Sequence, residues 1–302
     1  MFKISRRTAV AAATCLFAAT VAGAASAAEL TGTLKKIHDT GSITLGYRES
    51  SVPFSYINSD GKPVGYAFTV CKRVADAVQK ELGLKSLDIK YQAVTSANRI
   101  PLIQNGTVDI ECGSTTNSLK RQKEAAFSTS YFGIQVTAAV WKSSGITKLE
   151  DLNGKTIALT SGTTAVALVK DFEKKNGLHF RYLMTKEFSD SMKLVANKRA
   201  DAFIIDDVLL AGQIATLPNP DDFTIVDAAL SVEPYGAMFR KDDPQFKAVV
   251  DATVTGMISS GELADLYKKW FESPIPPKNS NLNFKMNSFT KELFAHPSDK
   301  GI

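Results

Sequence analysis

Cysteine, histidine and tryptophan are scarce in this chain, at three, three and two of 302 residues. His38, His179 and His296 are scattered without metal-ligand spacing and Cys15, Cys71 and Cys112 form no paired motif, so no metal site is expected. No Gly-x-Ser-x-Gly elbow is present, although a dispersed Ser/His/Asp set is not excluded by counting. The Gly-Lys-Ser/Thr ending of a phosphate loop and the dinucleotide fingerprint are also missing, and no cofactor is expected. Lysine and arginine are not concentrated in blocks, which argues against a nucleic-acid partner. Beyond the N-terminus no apolar run is long enough to span a bilayer.

The N-terminus itself is distinctive. Lys3, Arg6 and Arg7 precede an apolar run from Ala9 to Ala22, and Ala25-Ser26-Ala27 makes a small-x-small cleavage site. Residues 1–27 therefore read as a secretory signal, with Ser5-Arg6-Arg7 leaving the export route open between the general and twin-arginine pathways. Cys15 lacks the preceding pattern of a lipoprotein anchor. The formal charge of +5 (36 minus 31) becomes +2 (33 minus 31) once the three signal cations are removed, so the basicity is mostly a targeting feature. An exported, monomeric protein is expected. Its two remaining cysteines, Cys71 and Cys112, are either a disulfide or two buried thiols.

After the signal, strand and helix patterns alternate. Ser42–Arg48 alternates like a half-buried strand, and Val70, Val74, Ala77, Val78 and Leu82 recur at helical spacing. Strands are expected at 88–94 and 108–112, with helices at 99–104 and 119–126. The rhythm restarts with strands near 136–141, 156–159, 181–185 and 201–205, separated by helices. A long helix is expected over 243–271, ended by the prolines after Ser273. This is an α/β pattern in two halves, each a mostly parallel sheet covered by helices. In such sheets ligands sit at the carboxyl ends of the strands.

The segment Thr95–Gln122 is the most informative. It sets Arg99 and Arg121 around the polar turn Gly113–Asn117, which leads into a helix capped by Thr116 or Asn117. Free N–H groups at a helix start and guanidinium forks suit a small carboxylate. Arg99 lies in a first helical turn, where the helix dipole disfavours a cation, so an acidic neighbour or ligand should hold it. Arg48 follows the first strand and has two readings, ligand contact or a loop ion pair with Glu49. Ser161-Gly162-Thr163-Thr164 repeats the strand–turn–helix arrangement in the second half. Of the acidic pair after Phe203-Ile204-Ile205, Asp206 is assigned to an ammonium group and Asp207 to the helix cap.

Taken in order, GYRESSVPFSY (46–56), PVGYAFTVCKRVADAV (63–78), NRIPLIQNGTVDIECGSTTNSLKRQKEAAFS (98–128), LEDLNGKTIALTSGTT (149–164), RADAFIIDDVLLAG (199–212), YGAMFRKDDPQFK (235–247) and YKKWFESPIPPKNSNLNF (267–284) resemble the amino-acid-binding proteins of bacterial ABC transporters. These are solute-binding proteins of family 3, and the glutamate/aspartate branch is the most similar. The resemblance implies a two-lobed periplasmic-binding-protein type II fold. Lobe one would hold residues 28–133 plus 236–302, lobe two residues 138–232, with hinge segments 134–137 and 233–235.

It also implies that Arg121 grips a ligand α-carboxylate with help from Ser114 and Thr116, and that Asp206 meets the α-ammonium. Arg48 and Arg99 would face a side-chain carboxylate, with Ser96 nearby and Thr163 and Thr164 closing from lobe two. A membrane permease is the implied partner. Three arginines and one aspartate give this pocket a count of +2, which favours glutamate or aspartate over a neutral amino acid. The chain departs from that branch at one place: Phe188 stands in KEFSDS where the branch has histidine, removing a donor worth ~1–3 kcal/mol. An enzyme on the same fold, of the cyclohexadienyl dehydratase type, would need an acid or base, for which Glu49 and Glu111 are the candidates. A receptor's sensing domain is disfavoured by the lack of a membrane span or signalling region after Phe271.

Overall fold

Two sheets organise the chain, and each starts as parallel strands fed by helices. The computed structural model describes residues 1–2 and 29–302, so the signal-segment reading of 1–27 and its Cys15 lie almost wholly outside the described residues. In spatial order the first sheet is Asp88–Ala93, Ser42–Tyr47, Ile110–Glu111, Met238–Phe239 and Ala126–Phe127. Its first three strands are parallel and the other two antiparallel. The second sheet runs Arg181–Thr185, Thr156–Thr160, Ala202–Asp206, Phe132–Trp141 and Phe223–Ile225, and Ser231–Tyr235 also pairs with Phe132–Trp141. Its first three strands are again parallel. The repeated strand–turn–helix rhythm thus corresponds to two lobes.

The chain crosses between them side by side. It leaves the first sheet after Phe127, enters Phe132–Trp141, and returns through Ser231–Tyr235 to Met238–Phe239. Tyr235 pairs with Phe132 and Ser231 with Val136, so the two crossings form one antiparallel ribbon. Beneath it Phe54, Tyr66, Phe132, Tyr235 and Phe271 interlock, with ring centroids 4.8–6.3 Å apart. Edge-to-face packing of this kind adds to the large apolar area the rings remove from water.

Local chemistry explains several boundaries. The helix expected over 243–271 is two helices, Pro244–Ser259 and Glu262–Phe271. Gly261 breaks it at φ 83°, a conformation that side-chain-bearing residues avoid. The helix expected over 119–126 stops at Gln122, because Ala126–Phe127 is drawn into the edge of the first sheet. Its cap is Ser118, whose Oγ accepts from Arg121 N at 3.3 Å, not Thr116 or Asn117. Those two are occupied elsewhere: Thr116 bridges to Tyr235, and Asn117 Nδ2 donates to the Asp299 carbonyl at 2.8 Å.

Cys71 and Cys112 form a disulfide with Cα atoms 5.8 Å apart. It fastens helix Tyr66–Glu81 to the residue just before the Gly113–Asn117 turn, so the free-thiol reading is set aside. The C-terminal segment lies over the first lobe. Helix Ser288–Ala295 packs on Phe132–Trp141, where Thr290 Oγ1 accepts from Gly133 N at 3.0 Å, and Ile302 O accepts from Leu119 N at 2.7 Å.

Candidate functional site

The carboxyl ends of the parallel strands from both sheets converge. Tyr47 leads to Arg48, Ala93 to Ser96 and Arg99, and Glu111 to Ser114 and Thr116. From the other lobe Thr160 leads to Thr163 and Thr164, Thr185 to Glu187 and Phe188, and the last strand ends on Asp206. Ser96, Arg99, Ser114, Thr116, Arg121, Thr163, Thr164, Phe188, Ile205 and Asp206 together line one small, tightly closed cavity. Arg48, expected in the same set, is fully buried but is not among the lining residues. A larger open groove lies between three helices of lobe one, lined by apolar residues such as Leu34, Leu82 and Val249 and by His38, Lys80 and Glu81.

The lobes meet closely around this cavity. Arg121 Nη2 donates to the Gly162 carbonyl at 3.1 Å, Gln213 Nε2 to the Ser50 carbonyl at 2.6 Å, and Ser50 Oγ to Glu187 at 2.9 Å. Gly162 and Gly212 are pressed so near the backbone of Ser96 and Val52 that a methyl group at either would collide.

Burial shapes the chemistry. Arg99 Nη1 donates to the Ser114 carbonyl at 3.2 Å and to Thr115 Oγ1, and Thr115 Oγ1 donates in turn to Glu111 at 2.5 Å. The acidic neighbour expected for Arg99 is therefore Glu111, reached through Thr115. Arg121 also donates to the Thr116 carbonyl at 3.0 Å. Arg48 finds no hydrogen-bond acceptor for Nε, Nη1 or Nη2, and Arg99 Nε, Ser96 Oγ and Asp206 Oδ1 are likewise unpaired. Burial first, and then the charge of Arg99, lowers both Arg48 and Arg121 to about 10, still cationic at neutral pH. Asp206 accepts from the Tyr235 hydroxyl, but burial first, and then the charge of Glu233, pushes its carboxyl up to about 8.

Two expectations change. The pocket count of +2 omitted Glu111, Glu187 and Glu233, which lie beside the arginines; with Asp206 included, three arginines now face four carboxyl groups. The assignment of Asp207 as the helix cap is corrected. Helix Asp207–Ala215 starts at Asp207 itself, with Asp206 in the cap position but not capping. Asp207 Oδ1 accepts from Val208 N at 2.8 Å and from Gln135 N at 3.2 Å, tying the helix start to the crossing strand. Glu233 was missed altogether because a single carboxylate in SVEPY carries no motif. An acid flanked by apolar residues in a crossing strand was the available signal. The two residues nominated for acid–base chemistry are off the cavity: Glu49 is exposed and Glu111 is held by Thr115. Among the described residues no group of three His, Cys, Asp or Glu could hold a metal ion, and no helix is long and apolar enough to cross a membrane.

Comparisons with known proteins agree with this architecture. Residues 43–273 match the model of the bacterial extracellular solute-binding proteins, family 3. The chain is 45% identical over 288 residues to an L-glutamate/L-aspartate-binding protein of Pseudomonas aeruginosa, covering 95% of each. It is 44% identical over 270 residues to a glutamate/aspartate import solute-binding protein of Escherichia coli, covering 89% of each. Among solved structures, an ArgBP mutant from T. maritima superposes with a TM-score of 0.70 at 26% identity, covering 79% of this chain and 99% of its own. An ancestral amino acid-binding protein, a precursor of cyclohexadienyl dehydratase, does so at 0.68 and 28%, covering 79% and 99%. The chain belongs to the bacterial extracellular solute-binding proteins of family 3.

Proposed function

We propose that this chain is the periplasmic solute-binding component of an ABC import system and captures an acidic amino acid, glutamate or aspartate. The observation that carries the reading is the polarity of the cavity. Unpaired guanidinium N–H of Arg99 and the fork of Arg121 stand at its lobe-one side, and the unpaired Oδ1 of Asp206 stands at the lobe-two side. Buried donors and acceptors left without partners cost free energy, which a ligand with carboxylate and ammonium groups recovers. Arg121 takes the α-carboxylate with Ser114 and Thr116, Asp206 the α-ammonium, and Arg99 with Ser96 the side-chain carboxylate. Thr163 and Thr164 complete the site from lobe two. Arg48 acts from behind Phe188, as a buried positive charge and not as a contact. The Pseudomonas aeruginosa and Escherichia coli relatives, named for glutamate and aspartate, support the ligand class.

Capture works by closure. The lobes, 28–133 plus 236–302 and 138–232, rotate about the paired segments 134–137 and 233–235, and the ligand bridges them. Such hinge closure around a ligand is the established behaviour of periplasmic binding proteins. The closed form is what an inner-membrane permease recognises, and a single copy of the chain suffices for it. Titration calorimetry with glutamate, aspartate, glutamine, asparagine and arginine tests the reading. Heat from the two acidic amino acids is expected; tight binding of a neutral or basic one in their place refutes it.

A further inference from the structure

Glu233 belongs to neither lobe's cavity wall, yet three hydroxyls converge on its carboxylate. Thr116 Oγ1, on the lobe-one turn, donates to Oε2 at 2.7 Å, and Thr164 Oγ1, at the lobe-two helix start, donates to the same atom at 2.9 Å. Ser231 Oγ donates to Oε1 at 2.8 Å. The carboxylate is buried at 1% exposure on the return crossing strand, so these bonds act without competition from water. A carboxylate that accepts several hydroxyl donors forms charge-assisted bonds, stronger than neutral ones. One oxygen therefore ties both lobes to the strand about which they turn.

We propose that Glu233 is the latch of the cleft, a positioning residue that supplies part of the closing free energy from the protein itself and aligns Thr116 and Thr164 across the gap. Opening the lobes must break at least one of the two threonine bonds, because Thr164 travels with lobe two while Thr116 stays with lobe one. The negative charge of Glu233 further offsets the buried guanidinium of Arg121. This inference rests on the two-lobed capture reading but not on the identity of the ligand.

The test compares small-angle X-ray scattering of wild type, Glu233→Ala, Glu233→Gln and Thr164→Val, each without ligand and with saturating glutamate. Without ligand, all three variants should show a larger radius of gyration than wild type, with Glu233→Gln nearest to it because one carbonyl oxygen remains to accept. Combining Glu233→Ala with Thr164→Val should open the protein no further than either alone, since each already removes the Thr164–Glu233 link across the cleft. Apparent affinity should weaken roughly tenfold as the closed fraction falls. Equal unliganded radii for wild type and Thr164→Val, which leaves every bond within lobe one intact, overturn the latch. So do additive effects of the two substitutions. If glutamate changes no radius while the unliganded differences stand, the ligand assignment fails and the latch survives.

Discussion

The guanidinium carbon of Arg48 sits over the ring of Phe188, 4.7 Å from its centroid. The two residues come from different lobes. Glu187 is the nearest counter-charge, 3.8 Å from Nη2. A fully buried cation with no hydrogen-bond acceptor is thus held by the face of a ring and the carboxylates of Glu111 and Glu187. Desolvated cation–π contacts contribute about 2 kcal/mol. The contact thus holds the lobes together around a positive charge.

Replacing Phe188 with leucine keeps apolar bulk and removes the ring face. Stability should fall by about 2 kcal/mol in chemical denaturation, and Arg48→Met in the same background should recover most of it. Failure of that rescue would mean the loss comes from packing in lobe two and not from the exposed cation.

Arg121 and Arg99 should separate by ligand. Arg121→Ala is expected to abolish binding of every amino acid, whereas Arg99→Ala should weaken glutamate and aspartate more than glutamine, all read by calorimetry. Arg99→Ala also strands Glu111, which costs about 3–5 kcal/mol for a buried charge left alone. Adding Glu111→Gln should return much of that stability without returning affinity. Equal loss for acidic and neutral ligands would undo the division of labour.

Asp206 makes binding depend on pH. Its carboxyl is raised from 3.8 to about 8 by burial and by Glu233, so at pH 7 it is mostly protonated in the closed cleft. The sign follows from the raised value: this group favours the fold fully below 3.8 and its contribution is lost as pH rises through about 8. A ligand ammonium reverses the preference by stabilising the carboxylate. Calorimetry at pH 7 in buffers of different ionisation enthalpy should therefore register release of up to about one proton, vanishing above pH ~9. Asp206→Asn should remove the release; its persistence would place the titrating group elsewhere.

The Cys71–Cys112 bridge closes a loop of sequence separation 41. Chain-entropy reasoning gives about 4 kcal/mol for such a closure. Reduction, or Cys71→Ser with Cys112→Ser, should lower the unfolding free energy by that order. Ligand affinity should fall as well, because Cys112 directly precedes the Gly113–Asn117 turn. An unchanged affinity would show that the turn holds its shape through Asn117 and the Asp299 carbonyl alone.

Most of the site was legible in the sequence because it obeys a positional rule. Arg99, Ser114, Thr116, Arg121, Thr163, Thr164 and Asp206 all follow the carboxyl ends of parallel strands, and strand–turn–helix patterning finds such places. The carboxylates that answer the arginines were not legible as partners. Glu111 and Glu233 lie within strands, and Thr115 relays one of them, so pairing depends on sheet order and on the approach of two lobes. Arg48 was placed at the right strand end, but Phe188, 140 residues away in the chain, decides what it faces. The break at Gly261 was missed because apolar spacing continues through it on both sides.

Gly162 and Gly212 give the cleft a mechanical stop. Where they touch the backbone of Ser96 and Val52, closure ends on main-chain atoms that cannot yield as a side chain would. The span between Arg99 and Asp206 is then set by the protein, as the jaws of a calliper are set, and not by the molecule between them. A ligand too large for the gap meets rigid backbone before the lobes finish closing. Selection by size is thus written into two residues that contribute no side chain at all.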